Sequence, residues 1–125
     1  PVKWMAPESI SKQKYSYKSD VYMFGITVWE IMHGKQPYSD PKYSNYTLPI
    51  LATKIVKLKH FRPVIDETHE FDGVLLGDSH LERKVITDIN RLMQDCWKQS
   101  PTERPTMLSI LHTLNSIYDD MLGLS

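Results

Sequence analysis

Three histidines, His60, His69 and His80, stand near acidic residues and have the type of side chain that binds a metal ion. Their spacings fit no familiar ligand pattern, and histidines in a polar loop are ordinarily solvated, so no metal is expected there. Cys96 is the sole cysteine. It falls on the apolar stripe of a helical segment and reads as a small buried hydrophobe, not a nucleophile. Without a second cysteine it forms no internal disulfide, which favours a reducing, cytosolic setting. Lys54, Lys57 and Lys59 form a thin basic cluster, read as solvated helix face. Tyr15, Tyr17, Tyr38, Tyr43 and Tyr46 could accept phosphate, although a tyrosine's presence alone argues nothing. Asn45-Tyr46-Thr47 fits the glycosylation sequon, which a cytosolic protein leaves bare.

The elements that must position such groups are helical. With 125 residues, 41% of them hydrophobic, the chain has the size and the apolar content for one modest domain with a core. Fifteen basic residues balance fifteen acidic ones, which gives no electrostatic case for nucleic acid or an acidic membrane face. No apolar run approaches the roughly 20 residues that span a bilayer. The first residue is Pro, not Met, and the expectation is a piece of a longer chain.

Ser19 or Asp20 can cap a helix carrying Val21, Phe24, Val28, Trp29 and Met32, with Gly34 and Pro37 as its stop. Apolar residues surround much of it, which places it centrally. A second helix spans about Thr47 to Lys59, with Pro49 in the first turn and a stripe of Leu51, Ile55 and Leu58. A third runs from about Glu82 to Lys98, preceded by Ser79-His80-Leu81-Glu82 in capping-box form. Its stripe is Val85, Ile89, Leu92, Met93 and Cys96. The last starts near Pro105, with a stripe of Met107, Ile110, Leu111, Leu114, Ile117 and Tyr118. Residues 61–81 show no clear period and read as a long loop, with a short extended piece over 73–77. No strand pattern elsewhere is convincing. The fold class is all-α.

Four islands then line up. They are Trp4-Met5-Ala6-Pro7-Glu8; Ser19-Asp20-Val21-Tyr22-Met23-Phe24-Gly25 followed by Trp29-Glu30; Gly34-Lys35-Gln36-Pro37-Tyr38; and Cys96-Trp97 followed by Arg104-Pro105. In order and approximate spacing they resemble a protein kinase domain of the tyrosine type, from the end of the activation segment onward. The fold implied for residues 1–125 is the helical portion of the kinase C-terminal lobe. After Phe61-Arg62-Pro63 the chain departs from the family by an insertion of roughly a dozen residues, placed at 64–81. Phe71-Asp72-Gly73 has the letters of the magnesium-binding Asp-Phe-Gly motif in the wrong order and place, and reads as turn chemistry.

The resemblance implies roles. Glu8 pairs with Arg104, tying the activation segment to the lower helices; an Arg fork grips a carboxylate with two bonds. Asp20 accepts hydrogen bonds from the catalytic-loop backbone, alongside its capping role. Pro1, Val2, Lys3 and Trp4 form the substrate floor: a proline shelf packs against a phenol ring, where serine/threonine kinases usually carry a Gly-Thr type sequence. Trp4, Trp29 and Trp97 are packing residues. The parent is then a protein-tyrosine kinase acting on the cytoplasmic side. It transfers the γ-phosphoryl group of ATP, with Mg2+, to tyrosines of protein substrates. This segment is expected to bind neither ATP nor metal, to be inactive alone, and to expose apolar sides of its central helix. A pseudokinase scaffold, a helical interaction module and a serine/threonine enzyme of the tyrosine-kinase-like group stay open beside it. So do the parent's membrane association, substrates and regulation.

Overall fold

The computed structural model describes residues 1–67 and 77–124. Five α-helices and three single 3-10 turns make up its regular structure, and no strand occurs among the described residues. His69, Phe71-Asp72-Gly73 and most of the extended piece expected near residue 73 lie outside them.

A 3-10 turn at Val2–Trp4 leads into helix α1, Pro7–Lys12. Pro7 suits the first helical position because its missing N–H would be unpaired there. Helix α2, Tyr17–His33, is the long central element. It is capped by Ser16 and not, as expected, by Ser19 or Asp20. The Ser16 hydroxyl accepts from the amides of Lys18 and Ser19, and the Ser19 hydroxyl accepts from the Ser16 amide. The first turn carries Tyr17 and Lys18, which lie outside the apolar stripe, so periodicity starts a turn after the helix does. Gly34 ends α2 in the left-handed conformation, φ +64°, which glycine adopts without a Cβ penalty.

Helix α3, Leu48–Lys57, is capped by Thr47 and buries Leu51 and Ile55, whereas Leu58 stays about half exposed. Helix α4, Ser79–Cys96, begins three residues before the expected start. Its cap is Asp78, whose Oδ1 accepts from the His80 and Leu81 amides at 2.9 and 3.1 Å. Ser79 is therefore the first helical residue and not the cap. A turn at Pro101–Glu103 precedes helix α5, Met107–Met121, capped by Thr106. Only Ile110 and Ile117 of the α5 stripe are buried, while Met107, Leu111, Leu114 and Tyr118 are exposed.

Three apolar clusters hold these elements. Ala6, Tyr22, Ile26, Trp29, Met93 and Trp97 join the start of α1 to α2 and α4. Val21, Leu92, Cys96 and Ile110 join α2, α4 and α5. Tyr38, Tyr43, Leu51 and Ile55 hold the post-α2 segment on α3, with Val2, Ile10, Tyr46 and Phe61 packed beside them. Gly25 permits the close approach of α2 to α4: a Cβ there would stand 2.9 Å from Cys96 Cβ and 3.1 Å from the Met93 carbonyl oxygen.

Candidate functional site

The turn at Val2–Trp4 is fastened on both sides. Val2 packs into the cluster of Tyr38, Tyr43, Leu51 and Ile55, and Trp4 lies half-buried against the cluster centred on α2. The Trp4 indole Nε1 donates to Glu30 Oε1 at 2.9 Å. Trp4 Nε1 thus has a partner at a position where an unpaired indole N–H would be costly. Pro1 is exposed and Lys3 partly exposed, so this end of the turn faces outward. The spacing of Trp4 and Glu30 gave no hint of their contact, although both stand inside motif islands.

Behind the turn, Arg104 grips Glu8 in a two-bond fork, Nη1 to Oε2 at 2.7 Å and Nη2 to Oε1 at 2.8 Å. The Arg104 side chain is fully buried, and that of Glu8 is about 15% exposed. The remaining guanidinium donors reach the carbonyls of Lys98 at 2.8 Å, Lys18 at 3.0 Å and Gln99 at 3.1 Å. Arg104 therefore joins α1, the start of α2 and the segment after α4 through one group. Lys18 returns a hydrogen bond from Nζ to the Arg104 carbonyl. Burial pushes the Glu8 carboxyl up, but the Arg104 hydrogen bonds, the backbone amide of Glu8 and the Arg104 charge outweigh it and hold the carboxyl below its ordinary range.

Tyr22 is sandwiched next to this anchor, with the guanidinium carbons of Arg62 and Arg104 at 5.1 and 5.2 Å from its ring centroid. These are cation–π distances. Burial pushes its phenol up to about 12. Arg62, also buried, donates from Nε to the Trp97 carbonyl at 2.8 Å and from Nη2 to Gln99 Oε1 at 2.7 Å. Sequence reasoning missed Tyr22, Glu30, Lys18 and Arg62. A tyrosine inside the apolar run of α2 was the only available signal for the first. Asp20 is exposed in the first turn of α2, and its carboxylate makes no hydrogen bond among the described residues. Cys96 is buried, and burial together with Asp95 pushes its thiol up to about 12.

Among the described residues no group of three or more His, Cys, Asp or Glu side chains is placed to hold a metal ion. A groove of about 590 Å3 follows α3 and is lined by Lys59, His60, Trp97, Asp95 and Glu103 among others. It has no glycine-rich backbone to cradle phosphates. The residues described here do not fit the donor set that ATP and Mg2+ require.

A helical body whose activation-segment end is clamped by a buried Glu–Arg fork defines the lower, helical part of a protein kinase catalytic domain. The comparisons agree. The family model described as protein tyrosine and serine/threonine kinase matches residues 1–70, and the chain belongs to that family. Its relatives include Fibroblast growth factor receptor 1 of Dugesia japonica, 38% identical over 120 residues that cover 94% of this chain and 11% of the relative. Serine/threonine-protein kinase STY17 of Arabidopsis thaliana is 32% identical over 116 residues, 92% of this chain and 16% of the relative. Tyrosine-protein kinase Abl of Drosophila melanogaster is 32% identical over 123 residues, 96% and 6% respectively. The chain thus spans no more than 16% of the length of these three relatives. Of these names one specifies serine/threonine, one tyrosine, and the receptor's neither. No helix among the described residues is long and apolar enough to cross a membrane.

Proposed function

We propose that these residues form the substrate-holding part of a protein-tyrosine kinase, whose parent transfers the γ-phosphoryl group of ATP to tyrosines of protein substrates on the cytoplasmic side. The observation that carries this reading is the turn Pro1-Val2-Lys3-Trp4, held by Val2 in one apolar cluster, by Trp4 against another and by the Trp4–Glu30 hydrogen bond. A floor fixed at two points keeps its shape when a peptide lies on it, and such positioning is most of what a protein contributes to phosphoryl transfer. Exposed Pro1 offers a rigid apolar shelf for a phenol ring. ATP and Mg2+, when bound elsewhere in the parent, supply the phosphoryl group and neutralise its charge. Asp20, exposed at the start of α2, is assigned to accept hydrogen bonds from the catalytic-loop backbone. Glu8 and Arg104 keep the floor joined to the helices beneath it.

The test exchanges the shelf. In the intact kinase, Pro1→Gly with Val2→Thr introduces the sequence type usual in serine/threonine kinases. The ratio of kcat/KM for a tyrosine peptide over the matched serine peptide is expected to fall about tenfold, the size of a lost apolar contact in a binding pocket. An unchanged ratio with both activities intact contradicts the assignment of acceptor choice to this turn.

A further inference from the structure

The chain is neutral overall, but its charge is not evenly spread. From Pro41 to Ile65 there is no Asp or Glu, while Lys42, Lys54, Lys57, Lys59 and Arg62 all fall there. Arg62 is buried and spends its donors on carbonyl oxygens. The four lysines remain at the surface, Lys54 partly covered. Among the described residues none of them has a carboxylate within ion-pair distance, whereas Lys35 and Lys98 each have one and Lys84 has two.

Two of these lysines rest on aromatic rings instead. Lys42 Nζ lies 5.1 Å from the Tyr43 ring centroid, and Lys54 Nζ lies 5.4 and 5.9 Å from the centroids of Tyr46 and Phe61. Those rings touch one another: Tyr43 meets Tyr46 edge-on at 5.7 Å, and Tyr46 stacks on Phe61 at 6.3 Å. Lys57 follows Lys54 at i+3, the spacing of neighbours on one helix face. The result is a platform in which the ammonium groups of two lysines lie over ring faces while their charge stays unneutralised. The same cluster of rings and aliphatic side chains receives Val2, so the platform adjoins the substrate floor.

We infer that this platform on the 3-10 turn Pro41–Tyr43 and α3 docks an acidic segment, a short run of Asp or Glu, in a protein partner of the kinase. Calling that partner a substrate rests on the function proposed above; the docking chemistry does not. Lys42, Lys54 and Lys57, none of them ion-paired among the described residues, attract such a segment at long range. Restraint of Lys42 and Lys54 on the rings lowers the rotamer entropy lost when they pair.

The test is fluorescence anisotropy on the intact protein with a labelled Glu-rich peptide that contains no Tyr, Ser or Thr, so that docking is read without phosphorylation. Binding is expected at about 50 mM salt and is expected to vanish near 0.5 M, where the Debye length is only a few Å. Lys42→Glu with Lys57→Glu, both at exposed positions, is expected to weaken it about tenfold. Lys12→Glu with Lys14→Glu makes the same change in net charge off the platform and is expected to leave affinity within about twofold. Circular dichroism checks that each variant folds; Lys54→Gln with Lys57→Gln replaces the first pair if it does not, with weakening again expected. Absence of binding, equal loss in the control pair, or equal affinity for a Gln-rich peptide overturns the inference. Failure here leaves the acceptor test of the floor untouched, since that test reads Tyr against Ser on one peptide frame.

Discussion

Arg104 makes five hydrogen bonds, two to Glu8 and three to backbone carbonyls from two segments, the start of α2 and the stretch after α4. Removing either member of the fork strands a largely buried charge. The loss for a broken fully buried pair, about 3–5 kcal/mol, is the upper bound because the Glu8 carboxylate keeps some contact with water. Glu8→Ala and Arg104→Ala are each expected to lower stability on that scale, and the double variant by clearly less than the sum. Additive losses in the denaturation cycle would show that the two residues do not act as a pair. The fork also sets a pH dependence. A carboxyl whose folded value lies below its ordinary 4.5 contributes stability that is fully present above that value. The contribution is lost as pH falls through the lowered folded value. Glu8→Gln is therefore expected to flatten the acid limb of a stability-versus-pH curve, and an unaltered limb would contradict the assignment. The pair was legible only through its motifs: 96 positions separate the partners, and no local periodicity links them. Trp4 and Glu30 lacked even that help, because nothing in either island says that an indole N–H must reach a carboxylate 26 positions away.

At the scale of elements, the helices with one wet face were the easiest to read. Helix α3 follows its Thr47 cap and Pro49 closely. The caps of α2 and α4 were misplaced for a shared reason. Several Ser and Asp residues crowd each start, and the choice among them depends on which one takes extended backbone, as Ser16 and Asp78 do. Helix α1 was not foreseen, since six residues cannot display a period. The α2–α4 contact is tightest at Gly25. Gly25→Ala drives a methyl into Cys96 and the Met93 carbonyl, and overpacking of this kind costs about 1–3 kcal/mol. Thermal melting of the intact domain is expected to shift down accordingly. An unshifted melt would mean that the two helices can part without loss.

For the whole molecule, the helical architecture and its family follow from motifs in register, whereas the distribution of exposed surface does not. Exposed apolar side chains were expected mainly on the central helix. Met23 and Ile31 are exposed there, but α5 presents more: Met107, Leu108, Leu111, Leu114, Tyr118 and Met121. The α5 stripe has the period of a core face, so sequence alone could not tell a buried stripe from an uncovered one. The 125 residues by themselves are expected to self-associate on dilution from denaturant and to show no ATP-dependent phosphorylation. A cooperative melt of a clean monomer, or measurable activity, would contradict this. The central claim concerns what the anchored floor is for, and acceptor choice by the intact kinase tests it most directly. Given peptides identical except for Tyr, Ser or Thr at one position, the kinase is expected to phosphorylate the tyrosine peptide with a kcat/KM at least about tenfold higher; faster transfer to Ser or Thr would contradict the account.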